Sequence, residues 1–128
     1  MNLLLDTHLL LWAAFRPDRL SPDAAAMIAD PGNSLWFSAA SIWEVAIKRA
    51  QNRGDFRTDP GTLRAGLLAN GYLELPVEGR HCLAIATLPP VHGDPFDRML
   101  VAQAMTEGMQ LLTADRRVAG YGGPVRML

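Results

Sequence analysis

Four acidic residues stand far apart in the chain, Asp6, Glu44, Asp97 and Asp115. Carboxylates brought to one place repel one another, so a cluster of four is stable only with cations or other positive partners among them. Hard oxygen donors suit Mg²⁺ or Mn²⁺ and not zinc, and no Cys/His spacing in the chain resembles a zinc site. One or two such ions would activate water, clamp a phosphate and neutralise a leaving oxygen, which makes phosphodiester hydrolysis the preferred chemistry. Free N–H groups at nearby helix starts would favour a phosphate further.

Whether the acids can meet depends on the elements that carry them. Residues 3–5 are an all-leucine run too short for anything but a strand, leading directly into Asp6-Thr7 and then a helix that ends at Arg16-Pro17. Ser21-Pro22-Asp23 has the capping side chain, first-turn proline and acid of a helix start. That helix stops at Pro31-Gly32, residues 35–37 read as a second buried strand, and Ser41 opens a helix through residue 50. After a loop over 54–59, Asp59-Pro60 starts a helix closed by Asn70-Gly71. A strand over 72–75, a short helix over 78–87, a helix from Asp94-Pro95 to Glu107, and strands over 110–113 and 125–128 complete the pattern. Strands alternating with helices predict an α/β fold, a three-layer α/β/α sandwich with a mostly parallel sheet of four to five strands. Residues 1–128 are expected to form a single domain.

In such sheets ligands bind beyond the carboxyl ends of the strands. Asp6 sits at the end of the first strand, and Asp115 two residues past the fourth. Glu44 lies on the first turn of the helix after strand two, and Asp97 on the first turn of the helix before strand four. All four can therefore face one edge. Each also has a plainer use. Ser41-Ile42-Trp43-Glu44 matches a capping box, Asp94 and Asp97 match an N-cap and a first-turn acid, and Asp115 suits a turn. Asp6 alone, set between leucines, has no cheap structural role, because a lone buried carboxylate is costly unless paired. Thr7, Ser38 and Thr113 could hydrogen-bond the acids or satisfy backbone groups, and Lys48 stands one turn beyond Glu44, where a plain surface ion pair is the simplest reading. His8 and His92 read as packed or loop residues, and Trp12, Trp36, Trp43 and Phe96 as core or interface.

Composition bounds these readings. Half the residues are hydrophobic (49%) and 20% charged, which fits a globular chain and excludes disorder. The net charge of −1 argues against a strong non-specific nucleic-acid binder, although acids at a metal site pull the total down. Every basic residue except Lys48 is an arginine, and Lys48, Arg49, Arg53 and Arg57 form a basic stretch that suits either a solvated helix face or phosphate contacts. The one cysteine, Cys82, permits no internal disulfide and reads as a small buried hydrophobe. The leucine-rich start lacks a basic leading segment and is interrupted by Asp6-Thr7-His8, so it reads as core, and a cytoplasmic, non-membrane location is expected.

Taken in order, Leu4-Leu5-Asp6-Thr7-His8, the run from Ser38 to Lys48, Leu88-Pro89, His92-Gly93-Asp94-Pro95-Phe96-Asp97-Arg98, and Leu112-Thr113-Ala114-Asp115 resemble the PIN-domain family, most nearly its VapC-type ribonuclease toxins of bacterial toxin–antitoxin pairs. The His-x-Asp-Pro-Phe-Asp-Arg block is the specific part; Gly93 within it is a small departure. The resemblance implies a Mg²⁺- or Mn²⁺-dependent endoribonuclease acting on RNA, held inactive by a cognate antitoxin, and a homodimer. By position it makes Asp6, Glu44, Asp97 and Asp115 the acidic quartet, Thr113 a hydroxyl that positions water or metal, Arg98 a residue beside the site, and Asp94 a supporting or capping acid. A structure-specific DNA nuclease using the same acids, or a catalytically inactive binding module, are the competing readings. The first is disfavoured by the compact chain, the second by the intact quartet.

Overall fold

The computed structural model describes residues 1–54 and 56–128; position 55, within the loop expected over 54–59, lies outside them. Among the described residues β1 (Asn2–Leu5), α1 (Thr7–Phe15), α2 (Pro22–Ala29), β2 (Ser34–Ser38), α3 (Ala39–Ala50), α4 (Pro60–Ala69), β3 (Leu73–Leu75), α5 (Gly79–Ile85), α6 (Pro95–Glu107), β4 (Gln110–Thr113), α7 (Arg116–Ala119) and β5 (Val125–Met127) follow one another. The strands form one all-parallel sheet in the order β3-β2-β1-β4-β5. The chain thus builds outward from β1 through β2 to β3, then crosses back to place β4 on the other side of β1. That reversal opens a crevice at the carboxyl ends of β1 and β4, where an open α/β sheet binds its ligands.

Alternation along the strands sets the layers. Leu3, Leu5, Phe37 and Leu112 point to one face and pack against Leu9, Leu10, Val45, Leu63 and Leu67 of α1, α3 and α4. Leu4 and Leu111 point to the other, against Leu100, Val101 and Ala104 of α6 and Val118 of α7. With helices on both faces, β1 needs apolar residues at every position, which is why residues 3–5 are a continuous leucine run.

Three boundaries differ from expectation. Helix α3 begins at Ala39, capped by Ser38, so Glu44 lies well inside the helix and cannot form the capping box predicted from Ser41. Between the strands expected over 110–113 and 125–128 lies a further helix, α7, with Asp115 as its N-cap, and Pro17–Arg19 makes a short 3₁₀ turn. Cys82 is exposed, not buried: α5 turns His81 fully inward, and the next residue is rotated about 100° toward solvent. No helix among the described residues is long and apolar enough to cross a membrane.

Gly108 ends α6 in the left-handed region at φ 67°, and nothing lies within 4 Å of the place a Cβ would occupy. Gly108→Ala therefore adds only backbone strain, and a loss of about 1–2 kcal/mol is expected in urea denaturation. An unchanged midpoint would show that the turn does not depend on this conformation.

Candidate functional site

Four helices start at the carboxyl edge of the sheet, and the residues that cap them are two of the four acids, Asp94 and a serine. Asp6 caps α1, Ser38 caps α3, Asp94 caps α6 and Asp115 caps α7. Asp6 therefore does have a structural use, contrary to expectation: its Oδ1 accepts from the Leu9 N–H at 2.9 Å, while Oδ2 accepts from the Thr113 hydroxyl. A cleft of about 370 Å³ opens at this edge, lined among others by Asp6, Glu44, Asp94, Asp97, Asp115 and Lys48. The structure thus brings all four members of the quartet to one cleft.

Each acid has a different electrostatic arrangement. Glu44 is buried (3% exposed), and its Oε1 accepts from the Thr7 hydroxyl while Oε2 pairs with Lys48. Lys48 is no surface residue; its ammonium also lies 3.8 Å from Asp94 Oδ2. Asp94 Oδ1 accepts from the N–H groups of Phe96 and Asp97, which fixes the start of α6 and aims Asp97 into the cleft. Asp97 Oδ2 meets His92 Nε2 at 2.9 Å. Burial first, then the charges of Asp94 and Glu44, push the Asp97 carboxyl up to about 6, with His92 acting against them. Burial likewise raises Asp6, opposed by its hydrogen bonds from Thr113 and Leu9. Partial burial would raise Asp115 too, but the Arg117 side chain and N–H bond it and hold it below the usual carboxylate range. A buried acid that resists ionisation beside other acids is the electrostatic condition a divalent cation relieves.

The supporting residues divide. Thr7, Thr113, Lys48 and Asp94 touch the quartet directly. Ser38 does not: its hydroxyl accepts from Ala40 N and serves α3 alone. Arg98, expected beside the site, points away into a brace, bonding Tyr121 Oη at 3.0 Å and the carbonyls of Pro89 and Ile85. Tyr121 in turn donates to the His92 carbonyl at 2.8 Å, so the two residues pin the loop that carries His92.

His92 is the functional candidate that sequence reasoning passed over. Its ring and the carboxylates of Asp94 and Asp97 place ligand atoms within 4.8 Å of one another, a group able to hold a metal ion. Its position two residues before Asp94 was visible, but only the fold of residues 86–94 turns the ring onto Asp97. Trp12 and His8 also line the cleft, as do Arg116 and Arg117 of α7.

Residues 3–123 match the family model described as PIN domain. Over 124 residues the chain is 30% identical to Ribonuclease VapC22 of Mycobacterium tuberculosis (strain ATCC 25618 / H37Rv), covering 96% of this chain and 94% of that one. Among solved structures it superposes with a TM-score of 0.70 and 10% identity on a chain of VapBC2 from Rickettsia felis bound to a DNA fragment from their promoter, covering 100% of this chain and 98% of that one. It also resembles a chain of VapBC-1 from nontypeable Haemophilus influenzae, with a TM-score of 0.65, 17% identity and coverage of 100% and 97%. At those identities the two structures bear on the fold, which they share with this chain.

The raised Asp97 carboxyl predicts a pH signature in chelator-treated protein. In the folded state it keeps a proton that the unfolded chain has released, so its contribution is full below 3.8 and is lost as pH rises to about 6. The thermal midpoint should fall across that window, and Asp97→Asn should flatten this part of the profile. Parallel profiles for the two proteins would contradict a burial-driven shift.

Proposed function

This chain belongs to the PIN domain family, and from that premise we propose that it is a metal-dependent endoribonuclease, the toxin of a toxin–antitoxin pair. The observation that carries the proposal is the pair of carboxyls, buried Asp6 and half-buried Asp97, whose ionisation is disfavoured in a cleft where the strand order reverses. Asp6, Glu44, Asp97 and Asp115 form the acidic cluster that would hold Mg²⁺ or Mn²⁺; their oxygen donors fit those ions. When bound, the ion supplies a Lewis acid that lowers the pKa of water and offsets charge growing on the scissile phosphate.

The chain's own side chains do the positioning. Thr113 and the Leu9 N–H fix both oxygens of Asp6, and His92 fixes Asp97 Oδ2. Arg116 and Arg117 at the mouth of the cleft offer guanidinium groups to RNA phosphates, and Trp12 offers a flat face to a base. RNA, a cognate antitoxin and a second copy of the chain are the proposed partners, in the cytoplasm, for a single domain spanning residues 1–128. The naming of the relative as a ribonuclease supports the substrate, and the VapBC assemblies among the structural neighbours support a protein partner. The exposed Trp43, Ile47 and Leu83 provide apolar surface for either protein contact.

Asp6→Asn should abolish Mg²⁺- or Mn²⁺-dependent RNA cleavage while circular dichroism stays native; undiminished cleavage would sink the assignment. Thr113→Val, which removes only the hydroxyl orienting Asp6, should cost about 10–100-fold, the usual loss when a group steadying a metal ligand is removed. In cells, expression should arrest growth and Asp97→Ala should relieve the arrest. Equal arrest from both proteins would point to another chemistry.

A further inference from the structure

Lys48 is set unlike any other cation of the cleft. Its side chain is 11% exposed, its ammonium is bound to Glu44 Oε2, and Asp94 Oδ2 lies 3.8 Å away. The same ammonium stands 4.8 Å from the centre of the Phe56 ring and 5.6 Å from that of Phe96. An ammonium taken this far from water persists only where carboxylates and aromatic faces replace its hydration. Withdrawing it would strand Glu44 as a buried charge, and breaking a buried pair in that way costs several kcal/mol.

Arg117 offers the contrast. It holds Asp115 at 3.1 Å, but its side chain is 69% exposed, and an ion pair so open to water contributes little and yields easily. Asp6 is held by a hydroxyl and a backbone N–H, and Asp97 by an imidazole. None of these three has a buried cation as its partner, so each keeps its negative charge to offer a divalent ion. Glu44 differs: its charge is already matched by the buried Lys48 ammonium.

We propose that Lys48 is a resident cation standing where a second metal ion would otherwise be needed: the cleft takes a single divalent ion through Asp6, Asp97 and Asp115, and Glu44 answers to Lys48. The proposal rests on the metal-dependent reading above and narrows it by taking Glu44 out of the set of carboxylates that would hold the ion. Three carboxylates are enough for Mg²⁺, which keeps several of its waters and often uses only one or two acidic side chains. A fixed ammonium needs no free metal to stay in place, and it caps the number of ions the remaining acids can attract.

The test counts Mn²⁺ ions by calorimetry and by electron paramagnetic resonance on the full chain. Wild type should bind one ion. Lys48→Met frees Glu44 and should bind two, the second more weakly, with a larger thermal shift on adding Mn²⁺ than wild type shows. Because that variant leaves a buried carboxylate unpaired, the double variant Lys48→Met/Glu44→Gln provides the decisive arm. With both charges gone it should fold and still bind one ion, with affinity within about tenfold of wild type. Two ions on wild type, or loss of the ion from the folded double variant, would overturn the proposal, since either makes Glu44 a metal ligand. Two ions with RNA cleavage intact overturns it alone; no ion on wild type and no metal-dependent cleavage removes the parent reading as well.

Discussion

Everything at the carboxyl edge of this sheet follows from the repulsion among acids gathered where water is scarce. Each carboxylate is kept in place by a different kind of partner: a hydroxyl and a backbone N–H for Asp6, a buried ammonium for Glu44, an imidazole for Asp97 and an exposed guanidinium for Asp115. The partners are unequal, and so is the relief they bring. Burial, and then the charges of Asp94 and Glu44 with only His92 against them, push the Asp97 carboxyl up to about 6, and burial raises Asp6 beside it. The strain of the cluster is thereby concentrated at the place where a divalent ion would bring most benefit.

The fold supplies this concentration cheaply because the functional acids also start helices. Asp6, Asp94 and Asp115 each accept a backbone N–H at the head of α1, α6 or α7, which settles a donor the helix leaves unpaired and lowers the cost of keeping a carboxylate there. In an all-parallel sheet every strand ends at the same edge, so the helices that return the chain start there together. The rigid layers below do the rest: leucines on both faces of β1 fix the strand, and Asp6 follows directly at its end. Farther out, Arg98 and Tyr121 hold the loop before α6, so that His92 reaches Asp97.

The comparisons divide along the same line. Structures only 10% and 17% identical to this chain share its architecture over nearly their whole length, as expected when layer packing needs apolar residues at the right period and little more. A site demands particular side chains in a particular order, and that is why the match over residues 3–123 and the 30% identical relative bear on function in a way the superpositions do not.

Much of this molecule was legible in the chain alone. The leucine run before Asp6, the Ser21-Pro22 and Asp94-Pro95 helix starts and the Gly108 stop are local signals, because capping, proline and left-handed glycine act within a few residues. They determined the order of strands and helices, the α/β class and the edge on which the acids fall. What the chain could not disclose were contacts between distant residues. The capping box read at Ser41 failed because Ser38, at the end of β2, caps α3 three residues earlier; Lys48, a plausible surface partner, is a buried cation with Phe56 and Phe96 closing over it. Asp6 shows both sides at once. Its place after a buried strand made a costly carboxylate visible, but Thr113, 107 residues away, could be joined to it only by the pairing of β1 with β4. Burial and long-range pairing decide which acid keeps its proton and which keeps a cation, and neither is encoded within the span of a single helix or strand.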